Sequence, residues 1–154
     1  HGYTGVDGSR MPGIGLFDAD TIAGNTRLIG DVLINATLNG QTREVAGFEN
    51  HAGRTELGAG ATPLGAVLAG HGNSGVSGDE GCTRLRAIGT YLHGPLLPRN
   101  PWLADHILGW ALEHRTGSAA ELVPLDDTME MAAHAVAVGR AHGDRRERLM
   151  GRRG

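Results

Sequence analysis

An Asn-Gly pair, Asn39–Gly40, separates two stretches whose apolar residues alternate in the manner of β-strands. Residues 27–38 precede the pair and residues 41–49 follow it. Because both residues tolerate positive φ, the pair predicts the type I′ turn of a β-hairpin. Strands joined by two residues run antiparallel, so this half of the chain cannot be a plain repeat of parallel strands with crossover helices. We therefore predict an α/β domain with an open mixed sheet and flanking helices.

Short strands and glycine-punctuated loops account for the other segments before residue 100. The patterns of apolar and turn-forming residues predict the following elements: a polar loop over 1–11, a buried strand over 12–18, a loop over 19–26, a tight polar turn over 51–55, a mobile loop over 58–62, a strand over 63–70, a glycine-rich surface over 71–80 and a strand over 84–92.

Two helices are predicted to complete the chain. Asn100 is a favoured N-cap residue and Pro101 suits a first helical turn, so we expect a helix that ends at Gly117. A second helix is expected to begin at Asp126 or Asp127. Beyond Arg140 the sequence becomes polar and rich in arginine, which predicts a frayed or disordered end. We assign residues 1–142 to one domain and residues 143–154 to an arginine-rich tail.

The composition restricts the class of protein. A chain of 154 residues suits one domain, and a net charge of −3 gives no basic footprint for nucleic acid. No apolar run approaches the length of a membrane span, so the protein is not expected to cross a membrane. A single cysteine excludes an internal disulfide and favours a reducing cytoplasm. The chain begins at His1 in what reads as the middle of a domain, so we expect that an amino-terminal part is missing.

His93 is the strongest candidate for chemistry. It follows the predicted strand over 84–92, and Gly94 and Pro95 stop that strand from continuing. Open α/β sheets bind ligands beyond the carboxyl ends of their strands. Imidazole also titrates near neutrality, so His93 suits a general base toward a thiol or hydroxyl nucleophile. A hydrogen-bonded structural histidine at a strand end is the alternative, and position alone leaves both open.

Other polar residues are weaker candidates for a functional site. Glu49, His51 and Arg54 lie close together at the end of the predicted return strand. This indicates a substrate-orienting or interface loop or, as we favour, a site-proximal structural turn in which the glutamate pairs with the arginine. Cys82 lacks the strained turn that exposes a nucleophile, so we interpret it as structural. No Cys or third His has metal-ligand spacing beside His51 and His93, so we predict no metal site. The remaining histidines on helices or in the tail are expected to be solvated: His106, His114, His134 and His142.

With these residues in view, the chain resembles the GatD family, the glutaminase subunits of bacterial lipid II isoglutaminyl synthases. GatD proteins are a branch of the CobB/CobQ-like class I glutamine amidotransferases. The resemblance extends over nearly the whole chain and is carried by four stretches: Gly13–Asp18, Thr26–Gly30, Gly47–Thr55 and Gly89–Pro101. Leu125–Thr128 also resembles the family.

The resemblance implies a function and a set of site residues. The family hydrolyses glutamine through a cysteine thioester, and His93 matches its catalytic histidine. Arg27 matches an arginine that holds the glutamine substrate, and a guanidinium suits the α-carboxylate of glutamine. The family's nucleophile lies on a Cys-Gly-Gly or Cys-Ala-Gly elbow before Gly13–Leu16, which implies that this chain is the carboxyl-terminal portion and is inactive alone. The carboxylate common two residues after the histidine is replaced by Pro95.

The resemblance also implies a partner. In the GatD family the ammonia passes to MurT, a ligase subunit that uses ATP and Mg²⁺ to activate D-glutamate in lipid II, giving D-isoglutamine in peptidoglycan. We therefore expect a heterodimer with a MurT-like ligase and no cofactor in this chain. Two alternatives remain. One is the amidotransferase domain of a cobyric acid synthase-like enzyme, and the other is a non-catalytic binding module.

Overall fold

The computed structural model describes residues 1–119 and 121–151, with side chains described as far as residue 145. Eight strands precede a 3₁₀ turn at Leu97–Arg99 and two helices. The elements are β1 (Gly2–Thr4), β2 (Arg10–Pro12), β3 (Ala19–Leu38), β4 (Gln41–Leu57), β5 (Gly65–Ala69), β6 (Asp79–Glu80), β7 (Cys82–Arg84), β8 (Ala87–Gly89), α1 (Pro101–Thr116) and α2 (Thr128–Gly151).

The β3–β4 hairpin is the central element. Asn39 and Gly40 have φ of 49° and 75°, which confirms the type I′ turn. The hairpin is longer than predicted, because pairing continues to Ala19↔Leu57. The predicted loop over 19–26 and the predicted tight turn over 51–55 are therefore wrong, since these segments pair with each other, with a register irregularity between Ala23 and Leu28.

Six strands form a mixed sheet, which confirms the predicted fold class. The order is β2-β1-β3-β5-β6, with β4 also on β3, and β1 runs parallel to β3 while the other pairs are antiparallel. The strand predicted over 63–70 is confirmed as β5. The predicted loop over 1–11 is wrong because it contains β1 and most of β2. The buried strand over 12–18 is also wrong, since Ile14 is 95% exposed.

The two faces of the hairpin carry separate parts of the core. Because side chains alternate along a strand, Val32, Ile34 and Val45 share one face and pack with Leu92 and Leu103. The opposite face is covered by α2, with these residues in contact: Leu33, Ala46, Ala69, Ala137 and Ala141. The sheet is thus held between α2 on one side and α1 with the segment before it on the other.

The helices begin near the predicted residues. The first helix, α1, begins at Pro101 and ends at Thr116, and Gly117 follows as its C-cap with a φ of 76°. The second helix, α2, continues to Gly151, so the predicted disorder beyond Arg140 is wrong for residues 141–151. Ala141 is fully buried under the sheet and gives the helix a packing reason to continue. Residues 152–154 of the predicted tail lie outside the described residues. Among the described residues, neither helix combines the length and apolarity that a membrane crossing requires.

The segment before His93 differs from the prediction. Residues 84–92 do not form one strand, because Leu85 has φ of 55° and turns the chain between β7 and β8. These two strands form a separate small sheet. His93 therefore does not follow a strand of the main sheet, and its backbone pairs with that sheet through an isolated antiparallel bridge to Phe48. The glycine-rich surface predicted over 71–80 is also wrong in part, since Asn73 and Glu80 are buried.

Candidate active site

His93 is anchored to the middle of β4. Its backbone N–H donates to Phe48 O at 2.9 Å, and Phe48 N–H donates to His93 O at 3.3 Å. The two rings meet edge to face, with centroids 5.6 Å apart and an interplanar angle of 79°. The imidazole is exposed to solvent, so it is accessible to a substrate. Pro95, two residues later, is exposed and supplies no carboxylate.

Arg27 is bound to the same strand. Its Nε donates to Asn50 Oδ1 at 2.6 Å, and its Nη2 donates to Asn50 O at 2.7 Å. These two bonds fix one edge of the guanidinium fork. The Nη1 edge remains available for a bidentate contact with a carboxylate, which is the geometry that a guanidinium favours.

The structure places His93 and Arg27 on one face of the sheet. Phe48 and Asn50 are two residues apart in a regular part of β4, so their side chains project from the same face, with Cα atoms about 7 Å apart. His93 contacts Phe48 and Arg27 contacts Asn50. Ile29 is paired with Asn50 across the hairpin and is 51% exposed, so it adds apolar surface beside Arg27. The site is therefore an exposed sheet face that carries an imidazole and a guanidinium.

Glu49 projects from the opposite face and is fully buried. Its Oε1 accepts a hydrogen bond from His71 N–H at 2.8 Å and lies 2.6 Å from His71 Nδ1. Its Oε2 accepts from Gly72 N–H at 3.0 Å. The carboxylate thus holds the loop after β5 against β4. The predicted pairing of Glu49 with Arg54 is wrong. Because side chains alternate along β4, Glu49 and Arg54 lie on opposite faces of the strand. The contacts with His71 satisfy the Glu49 carboxylate instead.

His51 and Arg54 also have separate roles. His51 lies parallel to Tyr91, with ring centroids 3.6 Å apart and an angle of 5° between the rings. Tyr91 is two residues before His93. Arg54 binds the carbonyl oxygens of Ala52 at 2.9 Å and Thr26 at 3.0 Å. It therefore ties the irregular stretch of β3 to β4, immediately next to Arg27.

A second buried carboxylate lies beside Tyr91. Glu80 accepts hydrogen bonds from Tyr91 N–H at 2.7 Å and from the Thr90 hydroxyl at 3.0 and 2.9 Å. Burial raises the pKa of Glu80 to about 7, and the nearby charge of Glu49 adds to this effect. The protonation state of Glu80 therefore changes close to neutral pH, at a group that contacts the His93 segment.

Cys82 is buried on β7 and borders a cavity of about 210 Å³ that it shares with Tyr91. Burial raises the pKa of its thiol. The thiolate is the nucleophilic form of cysteine, so this environment disfavours attack by Cys82. Among the described residues, no group of three or more His, Cys, Asp or Glu side chains is arranged to hold a metal ion.

The helix histidines divide into two groups. His114 and His142 are exposed, as predicted. His134 is half-buried and its Nδ1 lies 3.0 Å from Arg99 O, so the prediction that it is solvated is wrong. His106 is held between Trp102 and Trp110, with centroids 5.4 and 5.2 Å away, so the same prediction is wrong for it. Each helix thus carries one partly buried histidine.

Sequence reasoning missed Phe48, Asn50 and Tyr91. The first two alternate with Glu49 and His51 along β4, so correct assignment of that strand would have placed them on the His93 face. Prediction of a tight turn over 51–55 concealed this alternation. Tyr91 gives no comparable signal, because its partners, His51 and Thr55, are distant in sequence.

Comparisons with known proteins give a consistent result. A family model described as "CobB/CobQ-like glutamine amidotransferase domain" matches residues 1–101. The GatD subunit of the glutamine-hydrolysing lipid II isoglutaminyl synthase of Staphylococcus aureus is 37% identical over 146 residues, 95% of this chain and 58% of that protein. Its counterpart in Streptococcus pneumoniae is 36% identical over 128 residues, 82% of this chain and 48% of that protein. A cobyric acid synthase of Rhodobacter capsulatus is 32% identical over 133 residues, 82% of this chain and 26% of that protein. The chain thus spans about half the length of the GatD relatives it matches.

Proposed function

Because this chain belongs to the family of CobB/CobQ-like glutamine amidotransferase domains, we propose that it is part of a glutaminase that supplies ammonia for the amidation of lipid II. Glutamine is the ammonia donor, and the acceptor is the D-glutamate of the lipid II stem peptide, which becomes D-isoglutamine. Similarity to two GatD subunits over 95% and 82% of the chain supports this choice of acceptor.

One observation carries the assignment of roles. His93 and Arg27 are attached to residues two apart on the same face of β4, through Phe48 and Asn50. A substrate amino acid whose α-carboxylate is held by a guanidinium extends its side chain a few ångströms from that anchor. An exposed imidazole on the same sheet face suits proton transfer at the carboxamide end of glutamine.

The chemistry divides between these two residues. Arg27 binds the α-carboxylate of glutamine through the guanidinium edge that Asn50 leaves available. His93 acts as general base toward the attacking thiol and then returns the proton to the departing ammonia. Glu49, His51 and Arg54 act behind and beside this face as structural supports.

The nucleophile in this proposal is a cysteine outside these 154 residues. Cys82 is unsuitable because its thiol is buried and its pKa is raised. We accordingly propose that the 154-residue chain has no glutaminase activity alone. Turnover by the purified chain that persists in Cys82→Ala would contradict this part of the proposal.

The acceptor reaction needs a partner. The two GatD relatives are each described as a subunit of a lipid II isoglutaminyl synthase. We propose that this chain works with a MurT-like ligase subunit in a heterodimer, and that the ligase uses ATP and Mg²⁺ to activate the acceptor carboxylate. The chain itself requires no cofactor for glutamine hydrolysis. A single cysteine favours the cytoplasm as the compartment.

The test uses the complete gene product and measures glutamate release from glutamine. His93→Ala is expected to lower kcat by at least about 100-fold, since loss of a general base costs roughly this much. The control is His142→Ala, which removes an exposed imidazole on α2. Unchanged turnover in His93→Ala, or equal loss in both variants, rejects the assignment of His93 as the base.

A second assay tests the acceptor. The cobyric acid synthase relative is similar at lower identity, 32% against 37%, and over less of this chain. We therefore expect amide transfer to lipid II when the ligase subunit, ATP and Mg²⁺ are present. Transfer to a corrinoid carboxylate in place of lipid II would favour the cobyric acid synthase-like alternative.

A further inference from the structure

The His93 imidazole lies at the end of a short segment outside the strands, residues 90–93. This segment meets the main sheet through the bridge at Phe48 and through Leu92, which is buried in the core beside Val32, Ile34 and Val45. Gly94, with φ of 40°, turns the chain immediately after His93. Two backbone hydrogen bonds and one edge-on ring contact join His93 to Phe48. Further contacts come from the residue before Leu92.

Tyr91 supplies those contacts. Its hydroxyl lies 2.7 Å from Thr55 Oγ1, and its backbone N–H donates to Glu80 at 2.7 Å. Its ring lies flat on the ring of His51, at 3.6 Å and 5°. Gly53 gives the phenol room to reach Thr55, because a Cβ at that position would lie 2.6 Å from the Tyr91 hydroxyl oxygen. The face of β4 that points away from His93 thus packs against the side chain of Tyr91.

His51 is the rigid member of this contact. Its side chain is 8% exposed, and its Nδ1 lies 2.8 Å from Gly53 O, which fixes the plane of the ring. A ring held in this way restricts Tyr91 to one orientation. Tyr91 and His93 are separated by one residue, so loss of the Tyr91 contacts would remove a restraint on the backbone that leads to the imidazole.

His51 contacts Tyr91 through the face of its ring, and only one of its two ring nitrogens has a hydrogen-bond partner among the described residues. The Nε2 of His51 is buried without a hydrogen-bond partner among the described residues and lies 3.6 Å from Glu49 Oε2. A buried nitrogen without a partner costs free energy. A phenylalanine ring would present a similar flat surface to Tyr91 without the unpaired nitrogen, but it would also lose the Nδ1 contact with Gly53 O. The variant therefore tests the stacking contact apart from both polar atoms of the imidazole.

We propose that His51 is a positioning residue for His93 and acts by stacking on Tyr91. The proposal rests on the proposed function, in which His93 is the general base. His51 touches neither glutamine nor the reacting atoms. It sets the direction in which the His93 imidazole points, and misplacement of a catalytic group by about 1 Å can cost roughly 100-fold in rate.

The test compares His51→Phe with His51→Met in the complete gene product. Phenylalanine retains a flat ring, whereas methionine fills the space with a flexible chain. We expect kcat for glutamine hydrolysis to fall by about 10- to 100-fold in His51→Met, with KM changed by less than about 3-fold. His51→Phe should retain kcat to within about 3-fold, because stacking persists. Both are assayed at a temperature where circular dichroism shows them to be folded.

A spectroscopic measurement makes the test independent of activity. The side-chain ¹⁵N and ¹H resonances of His93 should shift or broaden in His51→Met and stay close to wild type in His51→Phe. Equal kcat and equal His93 resonances in wild type and His51→Met overturn the proposal. So does equal loss in both variants, which would assign the role to the polar atoms of the imidazole. If wild type releases no glutamate, the proposed function fails, and the His93 resonances still decide whether His51 positions it.

Discussion

The side chain of Asn100 spans from the start of α1 to β4 and completes the backbone hydrogen bonding of Ala46. Its Oδ1 accepts from Ala46 N–H at 2.9 Å, and its Nδ2 donates to Ala46 O at 2.8 Å and to Leu96 O at 2.7 Å. Asn100 occupies the N-cap position that was predicted, but its side chain makes no cap hydrogen bond. The amide instead joins the helix to the strand that carries the candidate active site.

Removal of this amide should destabilise the chain substantially. In Asn100→Ala the N–H and C=O of Ala46 both lose their partner in a buried environment, at about 1–3 kcal/mol each. We expect the free energy of unfolding to fall by about 2–4 kcal/mol, measured by urea titration. Asn25→Ala, at an exposed asparagine of β3, is the matched control and should change stability by less than about 0.5 kcal/mol. A loss below about 1 kcal/mol in Asn100→Ala would mean that water replaces the amide.

The buried carboxyl of Glu80 should make stability depend on pH. Its pKa is about 7 in the folded chain against 4.5 for a glutamate side chain in water, so between these values the folded state holds a proton that the unfolded state has released. Stability therefore falls as pH rises from about 4.5 to 7, by about 3 kcal/mol, and the loss is complete above pH 7. Glu80→Gln should remove this fall, because an amide does not titrate.

The measurement for Glu80 is the difference in free energy of unfolding between wild type and variant at a series of pH values. Subtraction removes the titration of other groups. Glu56→Gln, at an exposed glutamate of β4, is the control and should give a nearly constant difference from wild type. A constant difference for Glu80→Gln as well would show that the carboxyl titrates normally in the folded chain.

Two glycine substitutions should have opposite effects. In Gly53→Ala the new Cβ would lie 2.6 Å from the Tyr91 hydroxyl oxygen and 2.9 Å from Thr21 Cγ2, so Tyr91 must move away from Thr55. We expect a loss of about 1–3 kcal/mol in stability. In Gly109→Ala, within α1, the new Cβ meets nothing within 4 Å, and replacing a helical glycine should add about 0.5–1 kcal/mol. Differential scanning calorimetry of both variants checks the pair, and equal melting temperatures would contradict the predicted crowding at Gly53.

Local signals predicted the elements that local interactions determine. The Asn39–Gly40 turn, β5 and the start of α1 all follow from residues close in sequence, and all are confirmed. The extension of the hairpin to Ala19 and Leu57 depends on pairing between residues 38 positions apart in the chain. Polar and small residues in these segments gave turn-like patterns, and only the partner strand makes them β-structure.

Only part of the candidate site could be predicted from the sequence. His93 and Arg27 could be named from their motifs, but nothing in the sequence gave their attachment to Phe48 and Asn50. That attachment requires the bridge at residue 93 and the register of β3 on β4. The buried support behind the site, with His51 on Tyr91, is equally a product of tertiary packing.

Substitution of Arg27 by lysine should separate charge from geometry in substrate binding. Lysine retains the positive charge but lacks the planar fork that donates to Asn50 and to a carboxylate at the same time. We expect the KM for glutamine to rise by about 10-fold or more while kcat falls by less than about 3-fold, since the base is untouched. The assay is glutamate release by the complete gene product over a range of glutamine concentrations. Arg10→Lys, at an exposed arginine paired with Asp20, is the matched control and should leave both constants unchanged. If KM stays constant in Arg27→Lys, the α-carboxylate is held by another group and Arg27 serves only to join β3 to Asn50.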